Sequence, residues 1–494
     1  MDEVFQYGTP ESTGISSGDV LTMLKVFQEE GLYMHSVMVV RYGKIIAEGY
    51  YAPFTRQTKH RMYSVSKSFV SGAIGLLCGE GRLSLEDKIH TFFPEFPPEE
   101  LHPYIREMTV RDLLRMESPH TTTYSLCPGD RYYTDWVESF FRTKPVRPAG
   151  TTFCYDTSAT YILDVIVERL TGKSFLEYMK DKMLRKLGFS EDAWCVKSPD
   201  GYAWGGSGVI CTPLDLAKYA FVLLRNGRVN GEQLLSGDYI KAATACQTAS
   251  EVNSCMFESG GYGYQIWCAP DNGFSFLGMG SQFVYCLPEK DLMFICTADN
   301  QGRDSAKDCI LGAFLHHVAR KAAGTPLPED PVAYDALQKE LNGLSLTVPR
   351  GCTHSSWEEK INNVTYLLEE NPMGFQKVRL SFRGDGGTLY YRNARGEKEI
   401  PFGLGKYEEG RFPETHYSGT QIGVPKGEGY RCLAAAVWTT ETQLLLRVNI
   451  VDDYFGNLRI VFGFQNDKIG ITMGKTAEAF LDDYSGFAGG RAER

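Results

Sequence analysis

The 494-residue sequence lacks a basic excess: 51 Lys and Arg stand against 61 Asp and Glu, a formal net charge of −10. Its field repels nucleic-acid phosphates and anionic membrane surfaces, and neither is expected as a partner. No stretch approaches the roughly 18 uninterrupted apolar residues of a membrane span. The best candidate, Phe69–Cys78, is short and rich in small residues. The opening Met1-Asp2-Glu3-Val4-Phe5-Gln6 has neither the basic nor the apolar region of a signal peptide. Cysteine pairing is wanting too: 13 Cys, an odd number, are scattered from Cys78 to Cys432 without a C-x-x-C spacing. That pattern reads as reduced thiols and, with the missing leader, gives a cytoplasmic expectation. Nine His include one adjacent pair, His316-His317, whose side chains point about 100° apart on a helix. No H-E-x-x-H and no G-x-x-x-x-G-K-[ST] occurs. Neither a metal nor an organic cofactor is expected, and Asn363-Val364-Thr365 reads as a surface turn.

What is present is an average soluble composition, 43% hydrophobic and 23% charged, long enough for two or three domains. Thr13–Ser17 leads into Val20, Met23, Leu24 and Phe27, the spacing of a capped amphipathic helix. Ser36–Val40 and Ile45–Glu48 form two apolar runs around Gly43-Lys44, a hairpin. Helical patterns follow at Ser64–Cys78, Val110–Met116, Ala159–Thr171, Phe175–Leu187 and Pro213–Asn226. Strands at Gln282–Leu287 and Leu292–Thr297 then flank Pro288–Asp291, before a helix ending near His317. Strand pairs at both ends of residues 1–325 with helices between predict an α+β unit: an antiparallel sheet built from both termini, flanked by helices, with a helical insertion. The Pro-rich, acidic Gly324–Pro331 opens a linker over 326–349. Alternation at Val378–Phe382, Thr388–Tyr391, Leu458–Phe464 and Ile469–Met473 predicts an antiparallel β domain over 350–485, ending in a short helix. Residues 486–494 are expected to be a loose tail.

Two serine motifs compete. Gly14-Ile15-Ser16-Ser17-Gly18 spells G-x-S-x-G, but a nucleophile elbow needs a strand before it, and here a polar terminal loop precedes. Ser16 or Ser17 is read as a helix cap. Ser64 and Lys67, in Arg61-Met62-Tyr63-Ser64-Val65-Ser66-Lys67-Ser68, form the only S-x-x-K of the chain. Three residues apart on a helix, hydroxyl and amine share a face. At a helix start the serine N–H is free to bind an oxyanion, and the dipole opposes a cation at Lys67. The spacing alone is weak, because average composition yields about one such match by chance in a chain this long.

The surrounding segments carry more. VMVVRYGKIIAEGYY, HRMYSVSKSFVSGAIGLLCGEGRLSLEDKI, MTVRDLLRMESPH, PAGTTFCYDTSATYILDVIVERLTGKSF, GGSGVICTPLDLAKYA and GMGSQFVYCLPEKDLMFICTADN occur in order. Together, over residues 8 to 320, they resemble the serine β-lactamase-like family. It includes class C β-lactamases, penicillin-binding proteins and D,D-peptidases, D-aminopeptidases, esterases and nylon-oligomer hydrolases. The resemblance implies that family's fold and an acyl-enzyme mechanism without a cofactor. It implies Ser64 as nucleophile, Lys67 as general base, and Tyr155 as the group that relays the proton to the leaving group. The oxyanion donors it implies are the backbone N–H groups of Ser64 and Met279, worth about 3 kcal/mol each in a transition state. Gly278 and Gly280 would let substrate approach the Met279 strand closely.

Two departures bear on substrate. The second motif reads Tyr155-Asp156-Thr157 in place of Tyr-x-Asn, so an amide is lost and Thr157 is left to offer one hydrogen bond. The third motif opens with Phe276-Leu277-Gly278 instead of a cation. A charge-assisted contact of about 1.5–3 kcal/mol to a β-lactam or D-Ala carboxylate is thereby missing, unless Arg61 or Arg147 supplies it. His120 and Trp204 are further candidates to touch substrate, against an ordinary hydrogen-bonded loop histidine in the first case. His60 and Arg61 read as solvated surface groups, with an anionic substrate end as the alternative. Tyr124, Tyr132, Tyr133 and Trp136 suit either an aromatic pocket or helix packing. The expectation is a serine hydrolase acting on an ester, amide or peptide-like small molecule. A β-lactamase or D-stereospecific peptidase is the first alternative. A binding or sensor module that is acylated without turnover is the second.

Overall fold

The computed structural model describes residues 4–121, 135–250, 257–414, 429–453, 455–476 and 484–493. The chain divides into two compact units, one running through Leu346 and the other starting at Thr347.

The first unit is built on a seven-stranded sheet. Its strands are β1 (Gln6–Tyr7), β2 (Met34–Arg41), β3 (Lys44–Tyr50), β4 (Trp267–Ala269), β5 (Gly273–Gly278), β6 (Gln282–Leu287) and β7 (Leu292–Ala298). They lie in the order β1-β3-β2-β7-β6-β5-β4, so both ends of the unit contribute, as the sequence pattern predicted. All neighbours are antiparallel except the short edge strand β1. The hairpin turn falls on Tyr42 and Gly43, both at positive φ, one residue earlier than predicted. This is the backbone that matches the right-handed twist of the flanking strands.

Strands β5, β6 and β7 are buried at every position, which is why β6 and β7 read as apolar runs. The alternation of side chains sorts their two faces. Phe294 and Tyr285, paired across β7 and β6, meet Phe314 of α5 (Ala306–Phe314), and Phe294 also meets Phe27 of α1 (Ser17–Glu29). One register position along, Phe276 stacks on Tyr219 of α4 (Pro213–Leu224). Helices thus cover both faces. The insertion between β3 and β4 carries α2 (Ser66–Gly79), buried almost all round, and α3 (Thr157–Thr171). Ser16 caps α1 by accepting from Gly18 N at 3.2 Å, the role expected of the G-x-S-x-G decoy.

Two boundaries differ from the sequence expectation. The stretch 326–349 contains α6 (Pro331–Asn342), capped by Asp330 and burying Leu337 and Leu341. A Pro-rich approach to a helix N-terminus resembles a linker, because proline suits both. The tail is not loose: Gly486–Ala492 pairs with Lys468–Thr476 on one side and Thr365–Leu368 on the other. Its Gly-rich sequence has little apolar pattern to announce a strand. The short helix expected ahead of it involves residues 477–483, outside the described residues. Among the described residues of the second unit ten strands follow one another by antiparallel pairing, and Gly396–Leu404 pairs with Tyr430–Thr440 to close the sheet into a barrel. Closure removes the exposed edges of an isolated sheet.

Candidate active site

The chain enters α2 through a single 3-10 turn, Tyr63–Val65. Tyr63 lies at φ 48, a left-handed backbone that a bulky residue adopts only when its surroundings enforce it. Those surroundings are specific. Met62 N–H donates to Val209 O at 2.7 Å, and Val65 N–H donates to Met62 O at 3.2 Å. The turn delivers Ser64, half-buried, to the floor of a cleft of about 410 Å3.

Lys67 sits one helical turn on, 1% exposed. Its Nζ donates to Ser64 Oγ at 3.0 Å and to Gly206 O at 2.6 Å. The Gly206 carbonyl is held close by the lack of a side chain, since a Cβ there would meet the Thr157 methyl at 2.4 Å. Arg61 helps to fix the same segment. Fully buried between the rings of Tyr63 and Trp204, its guanidinium donates to Ser207 O at 3.0 Å and Ser207 Oγ at 3.1 Å.

Tyr155 immediately precedes the N-cap of α3. Asp156 takes the cap, accepting from Ser158 N at 2.9 Å and from Ser118 Oγ at 2.8 Å. This explains an aspartate in the middle of the second motif. The Tyr155 ring stacks on Trp267 at 5.5 Å and lies 5.0 Å from Lys67 Nζ. Burial pushes its phenol pKa up, a hydrogen bond with Ser64 partly offsets this, and the Glu258 carboxylate adds to the rise. At neutral pH Tyr155 therefore carries its proton.

Gly278 ends β5 against the Ser64 turn. A Cβ there would lie 2.5 Å from Met62 O, so only glycine lets this strand approach so closely. Beyond it, Gly280 and Ser281 turn the chain at φ 77 and 78. Gln282 locks the turn by donating to Met279 O at 3.0 Å and Ala298 O at 2.7 Å. Ser281 N–H donates to Gly278 O at 3.2 Å. In a trans peptide the Met279 N–H is antiparallel to that carbonyl, and so points out of the turn.

Ser64, Tyr155, Gly278, Met279 and Gly280 line one cleft, with Lys67 directly beneath. Other candidates lie elsewhere. Thr157 packs against Gly206, and neither it nor His120 nor Trp204 lines the cleft. Trp204 is buried edge-on against Trp136, so Trp136 serves helix packing. His120 packs edge-on against Phe140, its pKa pushed down to about 4 by burial, with Arg147 contributing. His60 is not a surface group: it is buried against His35, its Nε2 at 2.9 Å from His35 Nδ1, with its pKa pushed down to about 4 by burial. Arg61 and Arg147 do not line the cleft. Tyr124, Tyr132 and Tyr133 fall outside the described residues. Among the described residues no cluster of three or more His, Cys, Asp or Glu is arranged to hold a metal, and no helix is long and apolar enough to cross a membrane.

The sequence reading missed the far wall: Glu258, Trp267, Asn300, Gln301, Arg303, Asp304 and Lys307. Trp267 had a signal, an aromatic opening a short apolar run; the polar residues, on loops except for Lys307 in α5, had none.

The comparisons agree with this architecture. The Beta-lactamase family model matches residues 28–315, more than half of the chain. A 6-aminohexanoate-dimer hydrolase from Paenarthrobacter ureafaciens is 25% identical over 52% of this chain and 70% of its own length. A structure from Bacillus anthracis, provisionally named a 6-aminohexanoate-dimer hydrolase, superposes with a TM-score of 0.54. It is 19% identical, over 66% of this chain and 89% of that one. A penicillin-binding protein homologue from Caulobacter crescentus gives 0.51 at 17% identity, over 62% and 99%. With the sheet, the Ser64 turn and Lys67 in place, the family match is decisive: the chain belongs to the Beta-lactamase family.

Proposed function

We propose that this protein is a serine hydrolase that cleaves a small-molecule ester or amide through an acyl-enzyme on Ser64. The observation that carries the reading is Lys67 Nζ at 3.0 Å from Ser64 Oγ, held on its other side by Gly206 O. As Ser64 Oγ attacks the carbonyl carbon, its proton passes to Lys67 Nζ. The carbonyl oxygen becomes an oxyanion, accepting from the N–H groups of Ser64 and Met279. Tyr155, protonated at neutral pH, gives its proton to the departing oxygen or nitrogen and regains one from Lys67. Water then attacks the Ser64 ester, the acid leaves, and Ser64 recovers its proton.

An apolar acyl group suits the lining by Trp267, Leu277 and Phe283. Arg61 and Arg147 do not line the cleft, and the two cations that do, Arg303 and Lys307, are paired with Glu30 and Glu258, which disfavours a β-lactam or D-Ala carboxylate. The relative named for 6-aminohexanoate dimers fits an amide bond, since a dimer of an amino acid is joined by one. The eleven described cysteines are all free, which suits work in a reducing compartment such as the cytoplasm. The test is turnover of p-nitrophenyl acyl esters beside nitrocefin. Ester turnover without nitrocefin turnover is expected; nitrocefin turnover alone would make the protein a β-lactamase instead.

A further inference from the structure

Glu258 has no part in the steps above, yet it lines the same cleft as Ser64 and Tyr155. Its loop is anchored: Ser250 Oγ donates to the Glu258 carbonyl and accepts from Gly261 N at 3.1 Å. The side chain is therefore presented by a fixed backbone, and the residue is only 8% exposed. One carboxylate oxygen, Oε1, pairs with Lys307 Nζ. The other, Oε2, is buried and accepts no hydrogen bond among the described residues.

A carboxylate oxygen can only accept, so what completes Oε2 is a donor, and the strongest match is a protonated amine. The charges around it agree. Arg303, the other cation of this wall, is committed to Glu30, Nη2 to Oε2 at 2.9 Å, while Asp304 adds a second acid. Glu258 shares the cleft with Tyr155, the group that would hand its proton to the leaving atom, and its charge is felt at the Tyr155 phenol.

From this geometry we propose that the cleft selects substrates whose leaving group carries a protonated amine, bound by Glu258 Oε2. The inference rests on the acyl-enzyme reading for the direction of departure, but not for the binding itself.

The test uses two acetate esters of one shape, 2-(dimethylamino)ethyl acetate and 3-methylbutyl acetate, with each rate corrected for that ester's hydrolysis by hydroxide. The wild-type protein is expected to favour the amine ester by about ten- to a hundredfold in kcat/KM, the range of one charge-assisted hydrogen bond. In Glu258→Gln the preference should fall to about twofold or less. In parallel, calorimetry on the Ser64→Ala protein should detect the amine ester and not the neutral one, and adding Glu258→Gln should abolish that binding. Should Glu258→Gln fail to fold, the wild-type ratio and the Ser64→Ala titrations still decide. Turnover of both esters at a wild-type ratio near one, or a ratio that survives Glu258→Gln, overturns the proposal while leaving the hydrolase standing. Absence of all turnover with amine-specific binding intact sinks the hydrolase and upholds the amine site.

Discussion

Lys67, beneath the cleft, and Glu258, on its wall, are both ionisable and both nearly buried, yet they are held in opposite ways. Lys67 is on a helix enclosed by the core, with Ser64 Oγ and Gly206 O at 3.0 and 2.6 Å. Glu258 is on a loop, with one oxygen matched by Lys307 and the other unmatched. The floor is finished by the fold itself, whereas the wall is left for a substrate to finish. Reaction steps demand placement to fractions of an ångström, which packed helices and strands supply. Selection among substrates tolerates a looser frame and varies with loops.

If that contrast is real, changes to the floor cost far more than changes to the wall. Ser64→Ala removes the proposed nucleophile, and kcat/KM for acyl esters should drop by at least about 10⁴-fold with an unchanged circular dichroism spectrum. Lys67→Met should follow at about 10³-fold, read in the same assay, because proton transfer is lost while Ser64 remains. Gly278→Ala puts a Cβ against Met62 O and shifts β5 away from the Ser64 turn. A loss of about 10²-fold in kcat is expected, with a thermal melt showing a destabilisation of about 1–3 kcal/mol. On the wall, Gln301→Ala should raise KM by about two- to fivefold. A wall variant as damaging as Lys67→Met would erase the distinction.

The smallest effect concerns stability. His120 has its pKa pushed down to about 4 by burial, while an unfolded histidine titrates near 6.5. Between those values the unfolded chain binds a proton that the folded chain refuses. Stability therefore falls as pH falls through this window and levels off below it, by about 1.4 kcal/mol per pH unit for one histidine. His60 and His35, also held neutral by burial, steepen the wild-type slope. Urea midpoints from pH 7 to 4 should show His120→Gln with a slope shallower by one proton; an identical slope would place the His120 titration elsewhere.

The same contrast explains what the sequence disclosed. Ser64 and Lys67 were legible because a helix turns their spacing into a shared face, and β6 and β7 because burial on both faces leaves an unbroken apolar run. Arg61 and His60 were misread as solvated, since a charged or titratable residue beside a motif does not reveal whether an aromatic cage or a second histidine awaits it. Glu258 and Lys307, 49 positions apart, meet only through the tertiary fold and left no local pattern. The strand at Gly486–Ala492 hid for another reason: its pairing is backbone to backbone, and glycines advertise no face.

The central claim is that Ser64 is the covalent nucleophile of this cleft. Intact-mass measurement after incubation with a fluorophosphonate probe tests it most directly. The account predicts a single adduct on the wild-type protein and none on Ser64→Ala. A wild-type protein that gains no mass, or an adduct that persists in Ser64→Ala, would contradict it.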